Sequence, residues 1–234
     1  MHASRSILWL ALLASTPALA QQSLSKISDD VNTQAGQQYG SLASVSGDVH
    51  VADHVKARSV HSVSGDVRID ANATVEDVAS TSGDVKVGDH GRTGELKNVS
   101  GNVSLGQDVW VHGDVATVSG DIFAGRGSKI SGDIHAVSGA IGLVQTEVGG
   151  GITFATSDVT VGADSHVKGN LHLKKPTFSN LDHPPRIVIG PNAVVDGTLD
   201  FEMPVKLYVH STAKTGAITG ATPVAFSSAS APKD

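Results

Sequence analysis

The stretch Ser62-Val63-Ser64-Gly65-Asp66-Val67-Arg68-Ile69 recurs in near copies along most of the chain, and no other feature restricts the fold so much. Aligned on the Ser-Gly-Asp corner, glycine falls at Gly47, Gly65, Gly83, Gly101, Gly120 and Gly139, at spacings of 18, 18, 18, 19 and 19 residues. Self-similarity at a fixed period of this length marks a stacked repeat, in which each unit buries its apolar face only against its neighbours. A degraded copy, Ile27-Ser28-Asp29-Asp30-Val31, carries the repeat back one further period.

A second glycine column runs at another phase, through Gly94, Gly113, Gly132, Gly150, Gly169, Gly197 and Gly216, with spacings of 19, 19, 18, 19, 28 and 19. It continues where the first column fades, so the same coil persists to about residue 220, with one insertion near residues 174–186. The two columns together count about ten coils of 18 to 19 residues.

Within a coil the apolar residues alternate, as in Val49 and Val51 or Val67 and Ile69, the period-2 pattern of a strand with one buried face. Short strands, glycine corners and no helical period predict an all-β chain: a single-stranded parallel β-helix, or β-solenoid. At roughly 4.8 Å per coil the rod is expected to be about 50 Å long. Glycine recurs at the corners because each turn is sharp, with φ > 0 or with no room for a Cβ beneath the coil above. Composition agrees: aromatic residues are 4% of the chain and glycines number 26, which suits thin, uniform layers of Val, Ile, Leu and Ala.

Residues 1–20 are set apart from the fold. Arg5 gives a short positive region, residues 7–13 an apolar run, and Ala18-Leu19-Ala20 a small-residue cleavage site, which predicts a signal peptide removed after Ala20. The apolar run falls short of the roughly 20 residues needed to span a bilayer, so no transmembrane segment is expected in the mature chain. The expected location is periplasmic or extracellular. Residues 21–220 form the expected solenoid, and residues 221–234 a C-terminal cap segment, with Val224 and Phe226, followed by a flexible tail. With no cysteine the chain carries no disulfide and no thiol nucleophile. The formal charge of -6, without clusters of Lys and Arg, argues against nucleic acid as partner.

Three sets of residues bear on chemistry. The column Asp48, Asp66, Asp84, Asn102 and Asp121 stacks carboxylates about 5 Å apart, a ladder that could hold calcium. The cations His50, Arg68 and Lys86, two residues on, and the habit of Asp of accepting backbone N–H bonds at turns favour a structural role, and no metal site is expected. The histidines lack metal-motif spacing and read as solvated outward positions. The inserted loop at 174–186, with Phe178, Asp182 and His183 among its prolines, is the candidate contact segment, because loops inserted in solenoids often carry binding.

The lines Val159-Thr160-Val161-Gly162 and Ile187-Val188-Ile189-Gly190-Pro191-Asn192 resemble the polymer-forming bactofilin family, and the N-terminal Val-Ser-Gly-Asp-Val series resembles the adhesin-like β-solenoids of bacterial envelopes. The resemblance implies a right-handed β-helix that acts by assembly or surface contact, without catalysis and without a cofactor. Typical bactofilins are cytoplasmic, so the signal peptide shifts the expected role to the envelope. Expected partners are further copies of the chain, end to end or side by side, or an envelope polysaccharide or protein. The competing class is an enzyme. Ile189-Gly190-Pro191-Asn192-Ala193-Val194 also fits the hexapeptide repeat of acyltransferases, and a β-helix polysaccharide-active enzyme would need a groove of acids, cations and aromatics on a surface that reads as sparsely decorated.

Overall fold

The computed structural model describes residues 22–176 and 183–232; Ala20, Phe178 and Asp182 lie outside them. The chain winds as a parallel β-solenoid of about eleven turns, with no helix among the described residues. One face is an eleven-stranded sheet with one short strand per turn, from Val31–Asn32 through Val49–Val51 and Val67–Ile69 to Val224–Phe226. The rest of each turn belongs to a seventeen-stranded sheet. The strand pairs are parallel, and apart from a register shift between Gln22 and Leu24 in the first coil each strand lies in register with its equivalent one coil on, so each sequence period becomes an axial column.

The recurring octapeptide builds one corner residue by residue. Ser62 points inward, is buried, and donates its hydroxyl to the Gly65 carbonyl at 3.0 Å. Val63 and Ser64 point outward, Gly65 turns the chain, Asp66 is exposed, and Val67 returns to the core. Gly65, Gly83, Gly101, Gly120 and Gly139 have φ between 114° and 139°, and a Cβ on any of them would also run into the carbonyl of the glycine one coil earlier. Both reasons demand glycine there. In the second column, at Gly94, Gly113, Gly132, Gly169, Gly197 and Gly216, φ is not in the left-handed region and space alone selects glycine; at Gly113 a Cβ would lie 3.2 Å from Glu95 Cα.

A third corner is turned by mixed residue types. Gly36 and Gly127, with φ of 73° and 77°, share it with His54, Asn72, His90, Asp108, Gln145, Asp164 and Asn192, whose φ lies between 47° and 57°. Asn, Asp and His tolerate this left-handed region better than most residues. Two of the histidines that look scattered in sequence are therefore members of one column.

The core is a stack of single apolar layers. Val49, Val67, Val85, Val103, Ile122, Ile141, Val159 and Ile187 follow one another in register, each at most 1% exposed. The nine-residue strand Arg92–Ser100 pairs with two shorter ones, Trp110–Val111 and Val115–Ser119, so from this coil on the long side of the turn is bent into two arms at the second glycine column. The insertion leaves the stack undisturbed, since Val159, Thr160 and Val161 pair directly with Ile187, Val188 and Ile189 across it.

At the C-terminal end Val224–Phe226 adds a strand to Lys206–His210. The Phe226 ring meets His210 edge-on at 5.0 Å and is 8% exposed. The following segment returns along the rod, where the Arg186 guanidinium donates to the Pro232 carbonyl at 2.7 Å, and Val188, an outward position, lines a cleft with Ala229 and Ala231.

Candidate functional site

Three surface features run along the rod. The Asp column is the most regular. Asp30, Asp48, Asp66 and Asp84 each present Oδ1 to the backbone N–H of the residue one coil on, at 2.7 to 2.9 Å, and Asn102 and Asp121 continue the series. Half of every carboxylate is thereby spent on holding adjacent coils together. His50, Arg68 and Lys86 stand beside it on the neighbouring strands, and the two columns line a shallow groove with Asn32 and Ser104. No group of three or more metal-ligating side chains converges among the described residues.

The second feature is the outer edge of the same corner. Ile27, Val45, Val63, Thr81, Val99, Val118 and Val137 stack one per coil as an exposed ridge. The valines are 45% to 49% exposed and Ile27 75%, and these six are most of the large exposed apolar residues. Ser64, Ser82, Ser100, Ser119 and Ser138 run beside them in register. Single exposed apolar residues are ordinary on a protein surface, whereas a continuous row of them marks a contact surface.

The third feature appears where the long strand divides. Register places Arg92, Trp110, Lys129, Glu147 and His166 in one outward column, one per coil. The Arg92 guanidinium lies over the indole at 5.5 Å, the His112 ring is 4.2 Å away at a tilt of 30°, and the indole N–H donates to Ser131 Oγ at 3.1 Å. Beyond it Glu147 accepts Lys168 at 2.6 Å and Lys129 at 3.4 Å. The bond from Lys168 holds the Glu147 carboxyl below its ordinary range against a smaller opposing effect of burial, and the same bond raises Lys168. The surface is thus more decorated here than the strand alternation suggests.

Elsewhere the polar groups pair locally. Asp70 accepts His50 at 2.7 Å and Arg68 at 3.0 Å. Burial pushes its carboxyl up, yet the two hydrogen bonds outweigh it and the net shift is downward. His166 is 2.7 Å from Asp196, and His172 stands between Asp200 and Glu202 at 3.1 and 3.3 Å. Of the inserted loop only the two ends are described: the Lys175 backbone N–H donates to Glu202 Oε2 at 2.9 Å, and His183 is exposed and borders a small cleft with Asp158, Arg186 and Lys206.

Residues 30–141 match the family model described as Toastrack DUF4097. The matched Toastrack region begins at Asp30, the first residue of the Asp ladder, and ends two residues after Gly139, the last glycine of the first column. The match and the parallel coil fit a β-helix family. The remaining coils continue the stack on the second glycine column with no break in register. No curated protein and no solved structure matches the chain.

Proposed function

We propose that this chain is an exported structural or adhesive β-solenoid of the bacterial cell envelope, similar in mode to the bactofilin-like and adhesin-like solenoids, acting by self-assembly or surface contact. The observation that carries the reading is the ridge from Ile27 to Val137 with its row of serines: a straight, repetitive contact surface along the side of a rod. Partners that meet such a surface gain a little at every coil, so affinity grows with the length engaged. The Toastrack match and the solenoid fold support a structural or surface-associated role, and the signal-peptide pattern of residues 1–20 supports export. The test is sedimentation of the purified chain, alone and with isolated envelopes, where a contact protein pellets in at least one condition.

A further inference from the structure

We propose that the face centred on Trp110 binds an acidic polysaccharide laid along the axis of the rod. The inference rests on the surface-contact reading above and adds to it a site and a class of ligand. The chain has two tryptophans, and Trp9 lies in the predicted signal peptide, so Trp110 is the one indole of the solenoid. It is 40% exposed on an outward column, where no core packing requires it. Its ring is held in place by Arg92, His112 and the bond to Ser131, so little rotamer freedom is left to lose on binding. A flat, pre-set, half-exposed indole is a platform for the C–H face of a pyranose ring, with the polar edge left for hydroxyl groups.

The neighbours specify the rest of the ligand. A shallow cleft runs from Trp110 past Lys129, Ser131, Glu147, Gly149 and Lys168 along the next coils. At Gly149 a Cβ would strike the Ser131 carbonyl, so no side chain stands at that level of the cleft. Ser131 and Glu147 can exchange hydrogen bonds with hydroxyls. Lys129 and Lys168 both bond the single carboxylate of the cleft, Glu147, Arg92 adds a third cation over the indole, and Asp196, one coil on from Lys168, is paired with His166. That balance favours an anion. The coils repeat at about 4.8 Å, so a polymer laid along the axis passes the indole and then the charged positions one coil at a time. A protein partner fits less well, because protein interfaces exclude charge from the ground around their aromatic anchors, and here charge surrounds the indole.

The test uses the full chain carrying Trp9→Phe, in which Trp110 fluorescence reads the site alone. Polygalacturonate is expected to change the emission saturably and to bind more weakly as salt is raised, whereas neutral dextran and poly-glutamate, which supply the sugar or the charge alone, bind at least about tenfold more weakly. By calorimetry, Trp110→Ala should lose about tenfold or more in affinity, and Lys129→Gln with Lys168→Gln several-fold, with melting temperature and sedimentation of the chain alone unchanged. Failure to saturate with polygalacturonate overturns the inference, as does equal binding of poly-glutamate or dextran, or unaltered affinity in Trp110→Ala. Capture of a protein through Trp110, with no response to the polymer, overturns it as well. Sedimentation with envelopes fails or succeeds independently of this titration, which contains no envelope.

Discussion

Asp66 Oδ1 accepts the backbone N–H of Asp84, one coil on, at 2.8 Å. The same bond links Asp48 to Asp66 and Asp84 to Asn102, so the side chain that the repeat preserves serves the next copy of the repeat. Asn102 performs the role without a charge, donating nothing that the ladder uses and accepting the N–H of Asp121 at 2.9 Å. Acceptance by the oxygen, rather than negative charge, is what the position requires.

It follows that Asp66→Asn should leave stability nearly unchanged, while Asp66→Ala should lower it by about 1 kcal/mol, because the N–H of Asp84 then loses its partner. Urea titrations of the two variants make the comparison. Melts with excess calcium and with chelator should agree within a few degrees. A loss in Asp66→Asn equal to that in Asp66→Ala, or a large rise with calcium, would point to an ion site in the ladder.

The two glycine columns should respond differently to alanine. Gly83 has φ of 120° and its added Cβ would strike the Gly65 carbonyl, so Gly83→Ala is strained twice over and is expected to cost several kcal/mol. At Gly113 φ is ordinary and the nearest atom is 3.2 Å away, so Gly113→Ala should cost less than half as much. Thermal melts of the two proteins rank them, and the reverse order would contradict the assignment of the corners.

The glycine columns are legible in sequence because only glycine satisfies their corners, and repetition then exposes the period. The third corner is not, since Gly36, His54, Asn72, His90, Asp108 and Gly127 all meet its milder demand and no single residue type fills the column. The Trp110 face is hidden for another reason. Arg92, Trp110, Lys129 and Glu147 lie 18 or 19 residues apart and look like solvated outward positions until register brings them together. The first turn has Asp29 where the later ones have glycine, so the glycine columns count about ten coils where the sheet has eleven strands.

Asp70 gives a pH dependence with a definite sign. Its carboxyl is lowered in the fold, the bonds from His50 and Arg68 outweighing burial, so the stability it contributes is present above the ordinary carboxylate range and is lost as pH falls through the depressed value. Asp70→Asn should therefore be less stable than the parent by about 1 kcal/mol near neutrality, with the gap closing in acid. Melting curves collected from neutral to strongly acidic pH read it. A gap that widens in acid would show the sign to be wrong.

The last strand should govern association at the end of the rod. Val224–Phe226 pairs with Tyr208, Val209 and His210, and its removal would uncover their backbone groups as an open edge. Deletion of residues 221–234 should promote end-to-end association, read by light scattering at matched concentration. If the shortened chain stays monomeric while the intact chain assembles, the segment joins subunits instead of capping the stack.

A rod that works through its exposed ridge has to bind something that a centrifuge can bring down. The most direct measurement is sedimentation of the purified chain, alone and with isolated bacterial envelopes, beside an unrelated protein of similar size and charge. The chain should pellet in at least one of the two conditions, and Val63→Lys with Val99→Lys and Val118→Lys should weaken any pelleting of the chain alone while leaving the melting temperature within a few degrees. A chain that remains in the supernatant in both, as the control does, would contradict a role in assembly or surface contact.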